Sequence, residues 1–276
     1  MGVAYKKIGE LENAINSYRA ALEISPKQAD VLNNLGLALI DNDQTKEALG
    51  VYSAAIQIDP TQADIYRNYG VALSNATNFT EAIQNFDKAI KLRNNFAEAY
   101  FNKANALANI GQFEDALNSY SLATLHRQNY FQAYNNIGNV YKKIGDLNMA
   151  ISSYKMAIEV DSNNLEAWLN GADAFEKWNL LKEMKDWLAK AIEQFPIVPL
   201  DILFLKAKLL WRTKNKNEAV KILLNVDVQH LQEGNKADFY YLMAKYHESM
   251  ENFEQAFACF NSMNRTIQLR NDFSQK

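Results

Sequence analysis

Apolar and polar residues recur along the chain with two superposed rhythms. The shorter is helical: within a segment, bulky and small apolar residues stand three or four apart and share one face at about 100° per residue. The longer has a period of 34 residues. Leu32-Asn33-Asn34-Leu35-Gly36 aligns with Tyr66-Arg67-Asn68-Tyr69-Gly70, with Tyr100-Phe101-Asn102-Lys103-Ala104, with Tyr134-Asn135-Asn136-Ile137-Gly138 and with Trp168-Leu169-Asn170-Gly171-Ala172. Behind the first four of these follow Ala48, Ala82, Ala116 and Ala150, then Tyr52, Phe86, Tyr120 and Tyr154, then Ala55, Ala89, Ala123 and Ala157. Repetition on this scale marks a stack of similar supersecondary units, none able to bury its apolar face alone.

Let Ala29, Ala63, Ala97, Phe131 and Leu165 each be position 1. A large residue then takes position 4, a small one position 8, alanine position 20, and proline, where present (Pro26, Pro60, Pro196), position 32. Positions 4, 7, 8 and 11 form one apolar stripe, so each unit predicts a helix A, a turn and a helix B. Glycine inside a helix costs about 0.8–1 kcal/mol relative to alanine, so Gly36, Gly70 and Gly138 mark close helix approach. Gly9, Gly111 and Gly145 fall at the turn. The prolines end helix B, because proline disfavours helix at the residue before it.

This pattern resembles the tetratricopeptide repeat, a 34-residue helix–turn–helix unit. The resemblance implies an all-α fold, a right-handed α-solenoid (superhelix) of about seven and a half units running as a single solenoid over 1–276. Residues 1–28 read as a partial repeat, with Gly2 at position 8 and Tyr5 at position 11. Regular repeats span 29–62, 63–96, 97–130, 131–164 and 165–198, the last with Met184 where alanine is expected. An irregular repeat follows at 199–236, with Lys206 at position 8. The last repeat is 237–270, and 271–276 is a polar tail. Beginning inside a helix A predicts a fragment, or an upstream segment that covers Val3, Tyr5 and Ile8.

Composition narrows the functions. The chain has 276 residues, with 29 Lys and Arg against 32 Asp and Glu, a net charge of −3. That balance argues against nucleic acid as the main partner. The single cysteine excludes an internal disulfide and a multi-thiolate zinc site, and fits a reducing, cytoplasmic setting. The most apolar stretch, Ile197 to Trp211, is broken by Asp201, Lys206 and Lys208, so no membrane insertion is expected. No two of the ten glycines are closer than seven residues, so no glycine-rich phosphate loop and no nucleophile elbow exist. His126, His230 and His247 are scattered, and His247-Glu248 lacks the second histidine of a zinc protease helix. Cys259 beside Phe260 reads as a buried thiol. Neither a catalytic constellation nor a cofactor is expected. Trp178, Trp187 and Trp211 could fill core or make a domain contact.

The stripe opposite the core face of helix A is positions 2, 6, 9 and 13. Position 6 is asparagine five times: Asn34, Asn68, Asn102, Asn136 and Asn170. Asparagine is a mediocre helix former, but its amide offers two donors and an acceptor, which suits the backbone of an extended peptide. The row is similar to the asparagine ladder in the repeat arm of O-linked N-acetylglucosamine transferase, which implies peptide binding in a concave groove. A harmless remnant of duplication is the competing explanation. Position 9 adds Asn105 and Asn139, and position 5 adds Arg67 without the run of cations that would clamp a terminal carboxylate. Position 2 carries Asp30, Asp64, Glu98, Gln132 and Glu166, and residues 27–198 hold 15 basic against 20 acidic groups. An acidic rim predicts a basic or neutral guest, although acids at helix starts also suit the helix dipole.

The reading that follows is a scaffold that binds a protein or extended peptide. An alternative is the substrate-recognition arm of a larger transferase, because Phe239 to Asn264 resembles the last repeat before the catalytic domain of bacterial repeat-linked sulfotransferases. A third is end-to-end self-association through uncapped ends.

Overall fold

The computed structural model describes residues 1–274, and side-chain burial through Leu269. The last two residues of the predicted tail lie outside the described residues. The chain divides into two compact units, Met1–Ile144 and Gly145–Lys276. Among the described residues there are 16 α-helices, one 3-10 turn and no strand.

The first unit holds α1 (Gly2–Lys7), α2 (Leu11–Ile24), α3 (Ala29–Asp41), α4 (Thr45–Ile58), α5 (Ala63–Asn75), α6 (Phe79–Leu92), α7 (Ala97–Asn109), α8 (Phe113–His126) and α9 (Phe131–Ile144). The second holds α10 (Leu147–Val160), α11 (Leu165–Lys177), α12 (Leu181–Gln194), α13 (Leu200–Arg212), α14 (Lys216–Leu223), the 3-10 turn (Val228–His230), α15 (Glu233–Ser249) and α16 (Phe253–Ser274). Helix A begins at position 1 in all five regular repeats. Within each unit successive helices pack on one another. Helix A also touches the next helix A (α3 on α5, α5 on α7, α7 on α9; α11 on α13, α13 on α15). The A helices are therefore the inner row of each stack.

The small residues do what their cost demanded. A Cβ on Gly36 would lie 2.6 Å from the Tyr52 ring, and one on Gly70 would lie 2.5 Å from Phe86. Gly36 and Gly70, at position 8, are sockets for aromatic knobs at position 24. Tyr52 and Phe86 are fully buried, and so are Ala48, Ala82, Ala55 and Ala89 around them. Burying a side chain of this size stabilises by roughly 1.5–3 kcal/mol.

The turn between helices A and B is uniform although its sequence is not. Gly9, Gly111 and Gly145 have positive φ, but so do Asp43, Thr77, Asn179, Lys214 and Glu251, all at the same step of their repeats. The amide three residues past the helix returns to a carbonyl of its last turn, as in Gln44 N to Leu39 O at 2.8 Å and Asn215 N to Leu210 O at 2.8 Å. This left-handed cap satisfies otherwise orphaned carbonyls, and packing imposes it where glycine is absent. Likewise the residue after helix B is extended before Pro26 (Ser25, φ −139°) and equally so at Arg93 (φ −138°), which no proline follows.

The irregular repeat is displaced from its predicted register. Five residues, 195–199, separate α12 from α13, and Pro199 precedes α13. Helix A therefore begins at Leu200, and the buried Ala207, not Lys206, fills position 8. Side-chain bonds tie this region together. Buried Asp201 accepts from Gln232 N (3.0 Å) and Asn235 Nδ2 (2.6 Å) at the start of α15. Lys208 bridges Glu176 (2.9 Å) and Asp238 (2.5 Å).

Candidate functional site

In the first unit the inner stripe of α5, α7 and α9 lines two adjoining cavities. One, of about 310 Å3, is bordered by Val71, Ser74, Asn75, Asn102, Asn105 and Asn109 among others. The second, of about 350 Å3, shares Asn105 and Asn109 and adds Tyr120, Asn136, Asn139 and Lys143. Six of these side chains are carboxamides at positions 6, 9 and 13, because the inner row exposes one helix face in register from repeat to repeat. The sequence reading omitted Asn75 and Asn109, although both sit at position 13 of the stripe it defined.

The five amides at position 6 are not equivalent. Asn34 and Asn102 are half-buried and make no side-chain hydrogen bond among the described residues. Asn68 is only 4% exposed, and its Nδ2 donates to Asn33 Oδ1 at 2.8 Å. It is turned inward because the repeat before it offers an amide at position 5. Asn136 donates to Asn105 Oδ1 (2.9 Å), which also accepts from the Tyr120 hydroxyl (2.5 Å). Both acceptor sites of Asn105 are thus filled, and burial pushes the Tyr120 phenol well above its usual range. Asn139 is half-buried beside them, and half-buried Asn170 belongs to the second unit. Arg67 is half-buried with its guanidinium carbon 5.9 Å from the Phe96 ring centre, and its Nε has no hydrogen-bond partner.

The acidic rim is partly neutralised. Asp64 pairs with Arg93, and Glu98 with Arg127 at 3.4 Å. Each arginine also lies over a ring, Arg93 over Phe96 at 4.3 Å and Arg127 over Tyr130 at 4.5 Å. Burial, then the Glu98 charge, pushes Tyr130 up to about 12. This recurring triad of acid, arginine and aromatic at positions 2, 31 and 34 went unread, although its period is also 34. Among the described residues Lys143 is the only charged one lining either cavity.

The remaining reactive groups sit apart. His126 stacks on Tyr100 (5.5 Å), His230 bonds Asp227 (3.0 Å) on the surface, and His247 lies against Tyr246 (5.2 Å). Burial pushes the half-buried Cys259 thiol up. Trp187 is core, against Trp168 (5.0 Å) and Phe175 (5.7 Å), while Trp178 and Trp211 are half-buried outside that cluster. Among the described residues no group of three His, Cys, Asp or Glu is placed to hold a metal ion, and no helix is long and apolar enough to cross a membrane.

Family models described as "TPR repeat" match residues 2–43, 38–75 and 78–111, and one described as "Tetratricopeptide repeat" matches 131–164. No curated protein matches the sequence. Among solved structures, MamA is 24% identical over 59% of this chain and 95% of its own, with a TM-score of 0.55. YrrB, described as a TPR protein with an unusual peptide-binding site, is 23% identical over 60% of this chain and 86% of its own, with a TM-score of 0.52. PilF of Pseudomonas aeruginosa is 18% identical over 76% of this chain and 96% of its own, with a TM-score of 0.60.

Proposed function

The chain belongs to the tetratricopeptide repeat family, and from that premise we propose that it is a non-catalytic interaction scaffold whose first unit takes an extended peptide along α5, α7 and α9. The observation that carries the reading is the pair of adjoining cavities, which share Asn105 and Asn109 and are walled by carboxamides from three successive repeats. Amides evenly spaced along a groove can pair with the N–H and C=O groups that recur along any extended backbone, and so hold it with little dependence on its sequence. That YrrB carries a peptide-binding site agrees with this use of the fold.

The anchors are Asn102, Asn105, Asn109, Asn136 and Asn139; Asn68 serves instead to lock α5 to α3. The guest is neutral or acidic rather than basic. Asp64 and Glu98 are already matched by arginines, and Lys143 stands at the α9 end of the groove. Apolar side chains of the guest meet Val71, Ala106 and Val140 between the amides.

The test is selection of peptides from a random display library on the full chain, followed by calorimetry. Each lost hydrogen bond costs about 0.5–1.5 kcal/mol, so Asn102→Ala with Asn109→Ala should weaken a selected peptide by about tenfold at unchanged thermal stability. Asn68→Ala should do the reverse, lowering stability and sparing affinity. Selected peptides that bind the double variant as tightly as the parent would reject the groove.

A further inference from the structure

The second unit contains a larger cavity, about 690 Å3, enclosed by α12, α13 and the start of α14. Its walls are aliphatic, with Leu181, Leu188 and Ile192 from α12 and Leu209 and Leu210 from α13. Its edge carries three cations, Lys185, Lys206 and Lys214. None of the three is ion-paired among the described residues. The one carboxylate at the edge, Glu218, accepts a hydrogen bond from Asn215 Nδ2 at 3.0 Å.

The first unit shows what this site lacks. In α7 the residue at position 7 is Lys103, and its ammonium meets Asp87, at position 25 of the preceding helix B, at 2.6 Å. In the second unit the corresponding residues are Lys206 and Ala189, and both line the cavity. The lysine has been kept and its counter-ion replaced by a methyl group. Half-buried Lys206 lays its stem along aliphatic walls and has no internal counter-ion, so an anion arriving from outside would gain more from it than from a lysine that is already paired, such as Lys103. The cavity lies in the range that encloses a ligand of several apolar groups.

From this we infer that the cavity is a second docking site, distinct from the carboxamide groove, for an acidic amphipathic segment of a protein partner. Leucine-type side chains of the segment enter between Leu188, Leu209 and Leu210, and its carboxylates meet Lys185, Lys206 and Lys214. The cations come from α12, α13 and the turn before α14, so they match charges spread along a segment better than one point charge. The regular repeats, where position 7 is apolar (Leu35, Tyr69, Ile137) or already paired (Lys103), lack this combination.

The test uses the full chain and a fluorescein-labelled synthetic helix with leucines along one face and glutamates on its flanks, read by fluorescence anisotropy. A lysine-for-glutamate analogue and decanoate serve as the other probes. Binding of the acidic peptide should weaken as salt rises, and Lys206→Glu should weaken it by about tenfold. Ala189→Asp should do the same by restoring the internal counter-ion; Ala189 is exposed, so circular dichroism and thermal midpoint should stay at the parent's values. Asn102→Ala, in the other unit, should leave this binding untouched, so failure here and failure of the groove are separable. The inference is overturned if the acidic peptide binds no tighter than its lysine analogue. It is equally overturned if a folded Ala189→Asp binds like the parent, or if decanoate binds and the peptide does not.

Discussion

In the pair α5–α6 the glycine at position 8 receives the Phe86 ring from position 24; in the pair α11–α12 the glycine is Gly171, at position 7, and receives the Trp187 indole from position 23. The added Cβ would lie 2.5 Å from Phe86 in one and 2.3 Å from Trp187 in the other. Both ends of the contact have moved by one residue together. What the repeat conserves physically is a void matched to a ring, and the void can move along the helix provided the ring moves with it. The indole gains a polar contact that Phe86 cannot make, since Nε1 donates to Trp168 O at 2.8 Å. Met184, in the place of the usual alanine, is 1% exposed, so the same shift makes room for a longer side chain.

Five substitutions test that comparison. The largest effect should follow removal of the ring: Trp187→Ala and Phe86→Ala should each cost about 3–5 kcal/mol, measured by urea unfolding, with Trp187→Ala the larger because Trp168 O also loses its donor. A trivial cost at either site would mean that the socket is not a unit of stability. Filling the socket comes next. Gly171→Ala and Gly70→Ala should cost about 1–3 kcal/mol each, and Gly70→Ala in a Phe86→Leu background should cost less than in the parent. Strict additivity of that pair would show that the glycine and the ring are independent.

Similar in size is the effect of the buried cap of the second unit. Asp201→Ala leaves Asn235 Nδ2 and Gln232 N without their acceptor and should cost about 1–3 kcal/mol. Hydrogen exchange should rise first in α15, and a rise spread evenly over both units would contradict a local role. The smallest change should be a gain. Thr77 holds φ at 61°, a region that disfavours β-branched residues, so Thr77→Gly should stabilise by about 1 kcal/mol, and Gly111→Thr should lose a similar amount. Equal stability in both variants would show that the turn relaxes and does not hold the strain.

Much of the fold is legible in the sequence. Helix A starts at position 1 in each regular repeat because the period, the small residues and the stop signals all act locally and agree. The start of helix A slipped at Pro196 and Pro199, where the link between helices gained a residue that no apolar pattern marks, and α15 begins at Glu233, four residues ahead of the predicted last repeat. The site was half legible. The stripe at positions 6, 9 and 13 does line the cavities, but the state of each amide depended on its neighbour across the interface. Asn68 turned inward because Asn33 lies opposite, and Asn102 stayed open among different neighbours.

The sequence by itself determined the all-α repeat, the placing of small residues against rings, and the face of helix A turned away from the core. Each is a consequence of spacing within a single hairpin. Tertiary structure alone decided which amides remain available, that Arg93 and Arg127 quench the acids at position 2, that Thr77 and Lys214 adopt a glycine-like conformation, and that Lys206 faces a cavity without a counter-ion. Those outcomes depend on what the adjoining hairpin presents at contact distance, and one-dimensional periodicity carries no information about a neighbour until the stack has formed.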